Sequence, residues 1–220
     1  MEAQLNKSMD EELNNIPTAW DGHKELAHWL VKRLKPKVTV ELGVDYGYSL
    51  FTLAKDNPGQ VYGIDLFEGD EHAGARESDQ YNKVLDFKAR HSLDHVHIIR
   101  DSFENQAENW TQLIDILHID GLHTYEAVKR DFENWAPYMR KTGIILFHDT
   151  DMEFDDDFPV RRFFASLPWP RLNFLNSAGL GVLGFNIEIV QEIADAFSPA
   201  GNMEDGKNYP ISMIRDDQFA

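Results

Sequence analysis

The chain predicts an α/β fold: a doubly wound, mostly parallel sheet whose last strand is antiparallel. Three observations predict it. Short runs rich in Val and Ile alternate with helix-patterned stretches from residue 38 to 148, the pattern of a parallel sheet with right-handed crossovers. Those runs are apolar throughout rather than alternating, as expected of strands covered on both faces. After residue 158 the pattern changes to two short strands around a small-residue turn, Ser177-Ala178-Gly179-Leu180, which reads as a closing antiparallel hairpin on the sheet edge.

Taken in order, residues 1–18 are polar and unpatterned and read as a loose arm. Residues 19–35 carry Leu26, Trp29, Leu30 and Leu34 at helical spacing, and Pro36 ends that helix. Strands are expected at 38–43, 61–66, 95–100, 115–120 and 143–148. Helices are expected at 48–56, 79–91, 104–112, 124–139 and near 159–166. Trp110, Trp135 and Trp169 read as core residues. The tail 199–220, rich in Gly, Asn, Asp and Pro, reads as a candidate lid. The domain division is 1–37 arm and helix, 38–190 the α/β domain, and 191–220 the tail.

Bulk composition narrows the function. The 220 residues suffice for one domain with a substantial core. A net charge of −17 argues against a nucleic-acid partner, which needs clustered Lys and Arg. No apolar run reaches membrane-spanning length and no leader pattern opens the chain, so no membrane insertion and a cytoplasmic location are expected. With no cysteine, disulfides and thiolate metal sites are excluded.

Ligands of open α/β sheets bind outside the carboxyl ends of the strands, and here those ends read Gly43, Asp65, Asp101, Asp120 and His148-Asp149. The first strand runs into Glu41-Leu42-Gly43, then Gly47, then Ser49 at a helix start. Glycines let backbone approach a ligand closely, and the helix N-terminus offers free N–H groups to an anionic group. Asp65 follows Gly43 by 22 residues, where an acid accepts the hydroxyls of a ribose. Nicotinamide dinucleotides and S-adenosylmethionine both carry that ribose. The turn lacks the dinucleotide pattern G-x-G-x-x-G, and its wider spacing, with Glu41 before it, suits the amino-acid end of S-adenosylmethionine. Asp101 and Ser102 are placed to meet the adenine.

The second constellation is Asp120 through His123, with His148-Asp149 on the next strand. Asp120, His148 and Asp149 form a candidate divalent-metal set of two carboxylates and an imidazole, with Asp120 also bordering the cofactor. Such a cation draws a proton from a substrate hydroxyl. His123, at a helix start, is the candidate general base, with Asp120 and His148 as its catalytic neighbours. The loop Gly69–Gly74 holds Glu71 and His72, which are either a solvated turn or contacts to cofactor or acceptor. The five acids of 151–157 are a solvated loop or the rim of an acceptor pocket. His118 reads as a packed strand histidine, and His91, His95 and His97 as structural or surface residues.

The runs Val40–Ser49, Ile64-Asp65, His118–Trp135 and Gly143–Thr150 resemble class I S-adenosylmethionine-dependent methyltransferases. Specifically, they are similar to the branch with an I-D-G-x-H-x-Y signature and a His-Asp pair on the fifth strand, whose members are often found with glycan biosynthesis. The resemblance covers about residues 38–186. It implies a seven-stranded Rossmann-like sheet, S-adenosylmethionine as cofactor and transfer to an oxygen nucleophile. Related sugar and catechol O-methyltransferases use Mg2+ held by acids at the ends of the fourth and fifth strands. Asp120 and Asp149 match those positions, whereas His148 stands where relatives often place an acid or amide. The expected function is therefore O-methylation of a small-molecule or carbohydrate acceptor, with Mg2+ as candidate metal and a homodimer as candidate assembly. A nicotinamide-dependent oxidoreductase and a non-catalytic adenosyl-binding subunit of a glycan-assembly complex are the rival readings.

Overall fold

The computed structural model describes residues 8–70, 74–75, 79–153, 157–197 and 211–214. Five strands, β1 (Val38–Leu42), β2 (Gln60–Asp65), β5 (Val96–Arg100), β6 (Ile114–Ile119) and β7 (Met139–His148), run parallel. β8 (Arg171–Phe174), β9 (Leu180–Gly184) and β10 (Ile211–Ile214) complete the sheet, and the short pair β3 (Gly69–Asp70) and β4 (Gly74–Ala75) lies apart from it. The sheet order is β10-β8-β9-β7-β6-β1-β2-β5. The first seven strands of this sheet give the expected topology, and β10 adds an eighth from the tail. The hairpin forms, but its second strand does not lie at the edge: β9 inserts antiparallel between β7 and β8.

Ahead of β1 runs α2 (Lys24–Leu34), and between later strands run α3 (Tyr48–Ala54), α4 (Gln80–Arg90), α5 (Phe103–Asn109), α6 (Tyr125–Trp135), α7 (Pro159–Ser166) and α8 (Ile187–Phe197). Two apolar layers cover the two sheet faces. One unites α2, α3, α4 and α8 with Ile116, Ile144 and Leu146; the other unites α5, α6 and α7 with Val40, Leu117 and Phe147. A bulge at Asp115 sets which β6 residue faces which layer. Beyond it, Ile116 and His118 share the α2 side, as do Glu41 and His148 on their own strands by the period of two. The Asp115 carboxylate accepts from the Lys37 and Val38 N–H groups and ties the bulge to the start of β1.

Three segments differ from the sequence expectation. The arm contains a helix, α1 (Met9–Leu13), closed by a capping box between Ser8 and Glu11. The α6 helix stops at Trp135 because Pro137, lacking an N–H, opens a 3₁₀ turn, and β7 begins earlier, at Met139. α8 crosses the boundary placed at residue 190; its Ile189, Val190, Ile193 and Phe197 repeat at helical spacing and are buried.

Candidate active site

The order reverses at β1, whose neighbours β2 and β6 lead to opposite ends of the sheet, and such a switch point opens a crevice at the strand ends. A cavity of about 390 Å³ occupies it. Its floor is the glycine turn. Gly43 has φ +91° and Gly47 φ +87°. A Cβ on Gly43 would run into the Asp120 carbonyl oxygen, because the Asp120 N–H donates to the Leu42 carbonyl at 2.8 Å and draws β6 against the turn.

Each cofactor candidate has a definite place. Asp65 lines the cavity and staples the turn: its Oδ2 accepts from the Val44 and Asp45 N–H groups at 2.8 and 2.9 Å, and its Oδ1 from the Phe67 N–H at 2.6 Å. A carboxylate has about four acceptor positions, so little capacity remains for a ribose. Ser49 lines the cavity, while Glu41 lies wholly buried beneath it. The Ser49 hydroxyl donates to Glu41 at 2.9 Å, and burial pushes the Glu41 carboxyl up. Ser102 lines the cavity and caps α5, accepting from the Asn105 N–H. Asp101 is turned to the same helix start, accepting from the Gln106 and Asn105 amides and the Ser102 N–H, which hold its carboxyl below the usual range. Glu71 and His72 lie outside the described residues.

Two residues the sequence did not single out belong to this half. Trp20 lines the cavity and donates its indole N–H to His118 Nε2 at 3.2 Å. Indole nitrogen only donates, so Nε2 is the bare nitrogen and His118 Nδ1–H donates to Glu41 at 3.0 Å. Gln80 is also buried in the wall; its amide donates to Asp45 at 2.6 Å, and its Oε1 has no partner among the described residues. An apolar run interrupted by His118 and a Trp just ahead of α2 were the available signals.

The opposite wall gathers Asp120, His123, His148 and Asp149. Asp120 Oδ1 stands 3.1 Å from His148 Nδ1 and 3.7 Å from His123 Nε2. Asp149 Oδ2 stands 3.3 Å from His148 Nδ1 and 2.6 Å from His123 Nε2. Asp149 takes φ +57°, uncommon for a residue with a side chain and often found at functional sites. Burial opposes charge on both histidines, but the flanking carboxylates outweigh it. They raise His123 to about 10 and His148 well above its ordinary value, while the histidines in turn hold Asp120 and Asp149 low.

The hairpin turn supports this cluster. The Ser177 carbonyl lies 3.2 Å from His148 Nε2 and 3.2 Å from His23 Nε2, and since a carbonyl only accepts, both nitrogens carry hydrogen. His23, also absent from the sequence reading, is kept neutral: burial first, then the neighbouring His148, push it down to about 3. The Gly22 N–H donates to Ser177 Oγ at 3.0 Å, so residues before α2 are fastened to the β8–β9 turn.

Asp120, His123 and Asp149 bring three candidate ligand atoms within 4.8 Å of one another, and His148 Nδ1 faces the same two carboxylates. The carboxylates suit Mg2+, but the imidazoles do not. Mg2+ prefers oxygen ligands and its own waters, so the donor set departs from a magnesium site.

A cleft at the switch point of a doubly wound α/β domain thus carries a glycine turn on one wall and an acid–imidazole cluster on the other. A family model described as a methyltransferase domain matches residues 40–150, and the chain belongs to that family. An uncharacterised protein, y4gI of Sinorhizobium fredii, is 34% identical over 209 residues, covering 86% of this chain. This chain spans only 22% of that relative's length. Among solved structures, the fold is similar to a Staphylococcus aureus protein assigned as a caffeoyl-CoA O-methyltransferase (TM-score 0.62, 19% identity, 80% of this chain and 91% of that one). It is also similar to a Bacillus cereus O-methyltransferase in complex with SAH (0.58, 18%, 82% and 92%). A third is the Streptomyces achromogenes O-methyltransferase TomG of tomaymycin synthesis, in complex with SAM (0.57, 17%, 83% and 93%). Among the described residues no helix is long and apolar enough to cross a membrane.

Proposed function

We propose that this chain is an O-methyltransferase that takes its methyl group from S-adenosylmethionine and delivers it to a hydroxyl of a small molecule, a sugar or glycan precursor being the favoured acceptor. The observation that carries this reading is the shared cavity: one space of about 390 Å³ touches both Gly43 of the glycine turn and the Asp120–His123–Asp149 cluster. That size lies within the range of small-molecule sites. Solved neighbours crystallised with SAH or SAM support the donor, and the resemblance alone supports a carbohydrate acceptor.

The turn Gly43–Ser49 would hold the amino-acid end of the donor. Ser102 and Gln80 Oε1, which has no partner among the described residues, offer polar contacts to its ribose and adenine, while Asp65 holds the turn in shape. The sulfonium already activates the methyl group, so the protein mainly aligns donor and acceptor and removes one proton. His123, at the cavity wall, would take that proton. It can do so only when positive charge other than its own faces Asp120 and Asp149, because with both carboxylates to itself the ring is protonated at neutral pH. Pro17–Trp20 of the arm also line the space and would form part of the acceptor wall.

Calorimetry with S-adenosylhomocysteine tests the donor; micromolar binding, about 8 kcal/mol, is expected, and no binding overturns the reading. His123→Gln is expected to keep that affinity within about threefold while labelled methyl transfer to a hydroxylated acceptor falls roughly 100-fold or more, the scale of a lost proton-transfer group. Unchanged transfer would remove the cluster from the chemistry.

A further inference from the structure

We propose that the arm, residues 8–20, is a strap across the cavity whose far end is a salt-sensitive latch: ion pairs of Asp10 and Glu12 hold it shut, and their release opens a path for ligand. The ligand admitted is the donor of the proposed reaction, so the gate rests on that reading; the latch does not.

The bridging segment is the first support. Pro17, Thr18 and Ala19 line the cavity and are also exposed to solvent, so they stand between the ligand space and water. The hydrogen bonds of residues 14–19 all stay within the arm. The Asn15 side-chain amide donates to the Glu11 carbonyl, and the Asn14, Asn15 and Ile16 N–H groups donate to the Asp10, Glu12 and Leu13 carbonyls. Thr18 Oγ accepts from the Trp20 N–H. A stretch with no hydrogen bond to its surroundings is held by its ends, and local opening is drawn from such regions.

The two ends are held by different forces. At Trp20–His23 the partners are uncharged: the Trp20 indole donates to His118, the Gly22 N–H to Ser177 Oγ, and the Asn176 amide to the Gly22 carbonyl. At α1 the partners are ions. Asp10 pairs with Lys24 Nζ at 3.1 Å and with Lys55. Glu12 pairs with Arg90 and lies 3.4 Å from His91 Nε2. Lys24 opens α2, whereas Lys55, Arg90 and His91 stand at the C-terminal ends of α3 and α4. One helix of five residues is thus tied by charge to three others. Leu13 beneath these pairs is fully buried, so the strap rests shut and lifts as a local event.

Salt acts on one end only. The screening length falls from about 30 Å at 0.01 M salt to about 3 Å at 1 M, which weakens the partly exposed ion pairs of α1 and leaves the hydrogen bonds at Trp20 and Gly22 in place. The arm therefore lifts at α1, with Trp20 as its hinge.

Stopped-flow release of S-adenosylhomocysteine from the full chain, at about 0.01 M and about 1 M salt, is the test. That ligand carries no net charge, so salt acts on the latch rather than on the ligand. Release is expected to be about fivefold to tenfold faster at high salt. Asp10→Asn combined with Glu12→Gln should release about tenfold faster at low salt and no longer respond to salt. Its binding rate should rise by the same factor, leaving affinity within about threefold. Amide hydrogen exchange at residues 12–16 should quicken alongside, with β1 unchanged. Lys55→Gln, which cuts one pair from the other side, should reproduce part of the effect, and it decides with the wild-type salt response if the double variant does not fold. Wild-type release in a folded double variant would overturn the proposal. So would faster release at an unchanged binding rate, which makes the arm a ligand contact rather than a gate, or exchange that quickens equally in β1. If the chain binds no S-adenosylhomocysteine, the methyl-transfer reading falls, and exchange in the arm decides the latch by itself.

Discussion

On the β1–β2 side of the cleft the acid is answered by backbone; on the β6–β7 side the acids are answered by imidazoles. Asp65 accepts three main-chain N–H groups, so its negative charge is spent on holding the glycine turn. Asp120 and Asp149 face His123 and His148, and their charge is balanced by groups that can gain or lose a proton. Similar strand-end acids thus do different work. The first wall is a scaffold whose shape is fixed before a ligand arrives, and the second is a reservoir of charge that a ligand, ion or substrate proton can rearrange.

The scaffold side should break most severely. Gly43→Ala puts a methyl group into the Asp120 carbonyl oxygen at a residue with φ +91°. Both steric clash and a left-handed backbone oppose it. A loss of about 3 kcal/mol or more in urea denaturation is expected, with S-adenosylhomocysteine binding reduced at least 100-fold. A variant of wild-type stability would mean that β1 and β6 are free to separate and that the turn is not pre-formed.

Next in size is an acid with neither kind of partner. Asp131, on α6, is buried under the Gly121 turn, and its Oδ1 has no hydrogen bond among the described residues. Burial pushes its carboxyl from 3.8 up to about 7. The folded chain therefore binds this proton more tightly than the unfolded chain, and stability falls as pH rises from about 4 to about 7, then levels off. Three pKa units would amount to at most about 4 kcal/mol. Asp131→Asn, of similar shape and no charge, is expected to flatten that slope and raise the melting temperature at pH 8 above wild type. Identical pH profiles would show that Asp131 does find a partner, as Asp65 does.

The two walls were not equally legible in the sequence. Glycines, the strand-end acids and the parallel core follow from local rules: positive φ needs glycine, period and composition mark buried strands, and strand ends meet the crevice. So Gly43, Asp65, Asp120 and Asp149 could be placed at the site from residue order alone. What the order did not reveal depends on distant pairings. Asp101 is turned onto α5 by Asn105 and Gln106. Glu41 is drawn beneath the turn by Ser49 and by His118, 77 residues away. His23 and His148 meet on one carbonyl of a hairpin turn more than 150 residues after the arm. No window of sequence contains such a contact, and Trp20 and His23 lay inside a stretch read as one helix from 19 to 35, whereas α2 begins only at Lys24.

The smallest effect tests whether that arm belongs to the scaffold. Trp20→Phe keeps an aromatic ring in the buried position but deletes the N–H that His118 Nε2 accepts. His118 then keeps its bond to Glu41 and loses its other partner, which makes a buried acceptor unsatisfied, a loss of about 1–2 kcal/mol. The midpoint of urea denaturation should fall accordingly, with S-adenosylhomocysteine affinity changed less than about threefold, because Asp65 and the glycine turn are untouched. An unchanged midpoint would detach the arm from the scaffold. A large loss of affinity at constant stability would move Trp20 from the structural wall to direct contact with the donor.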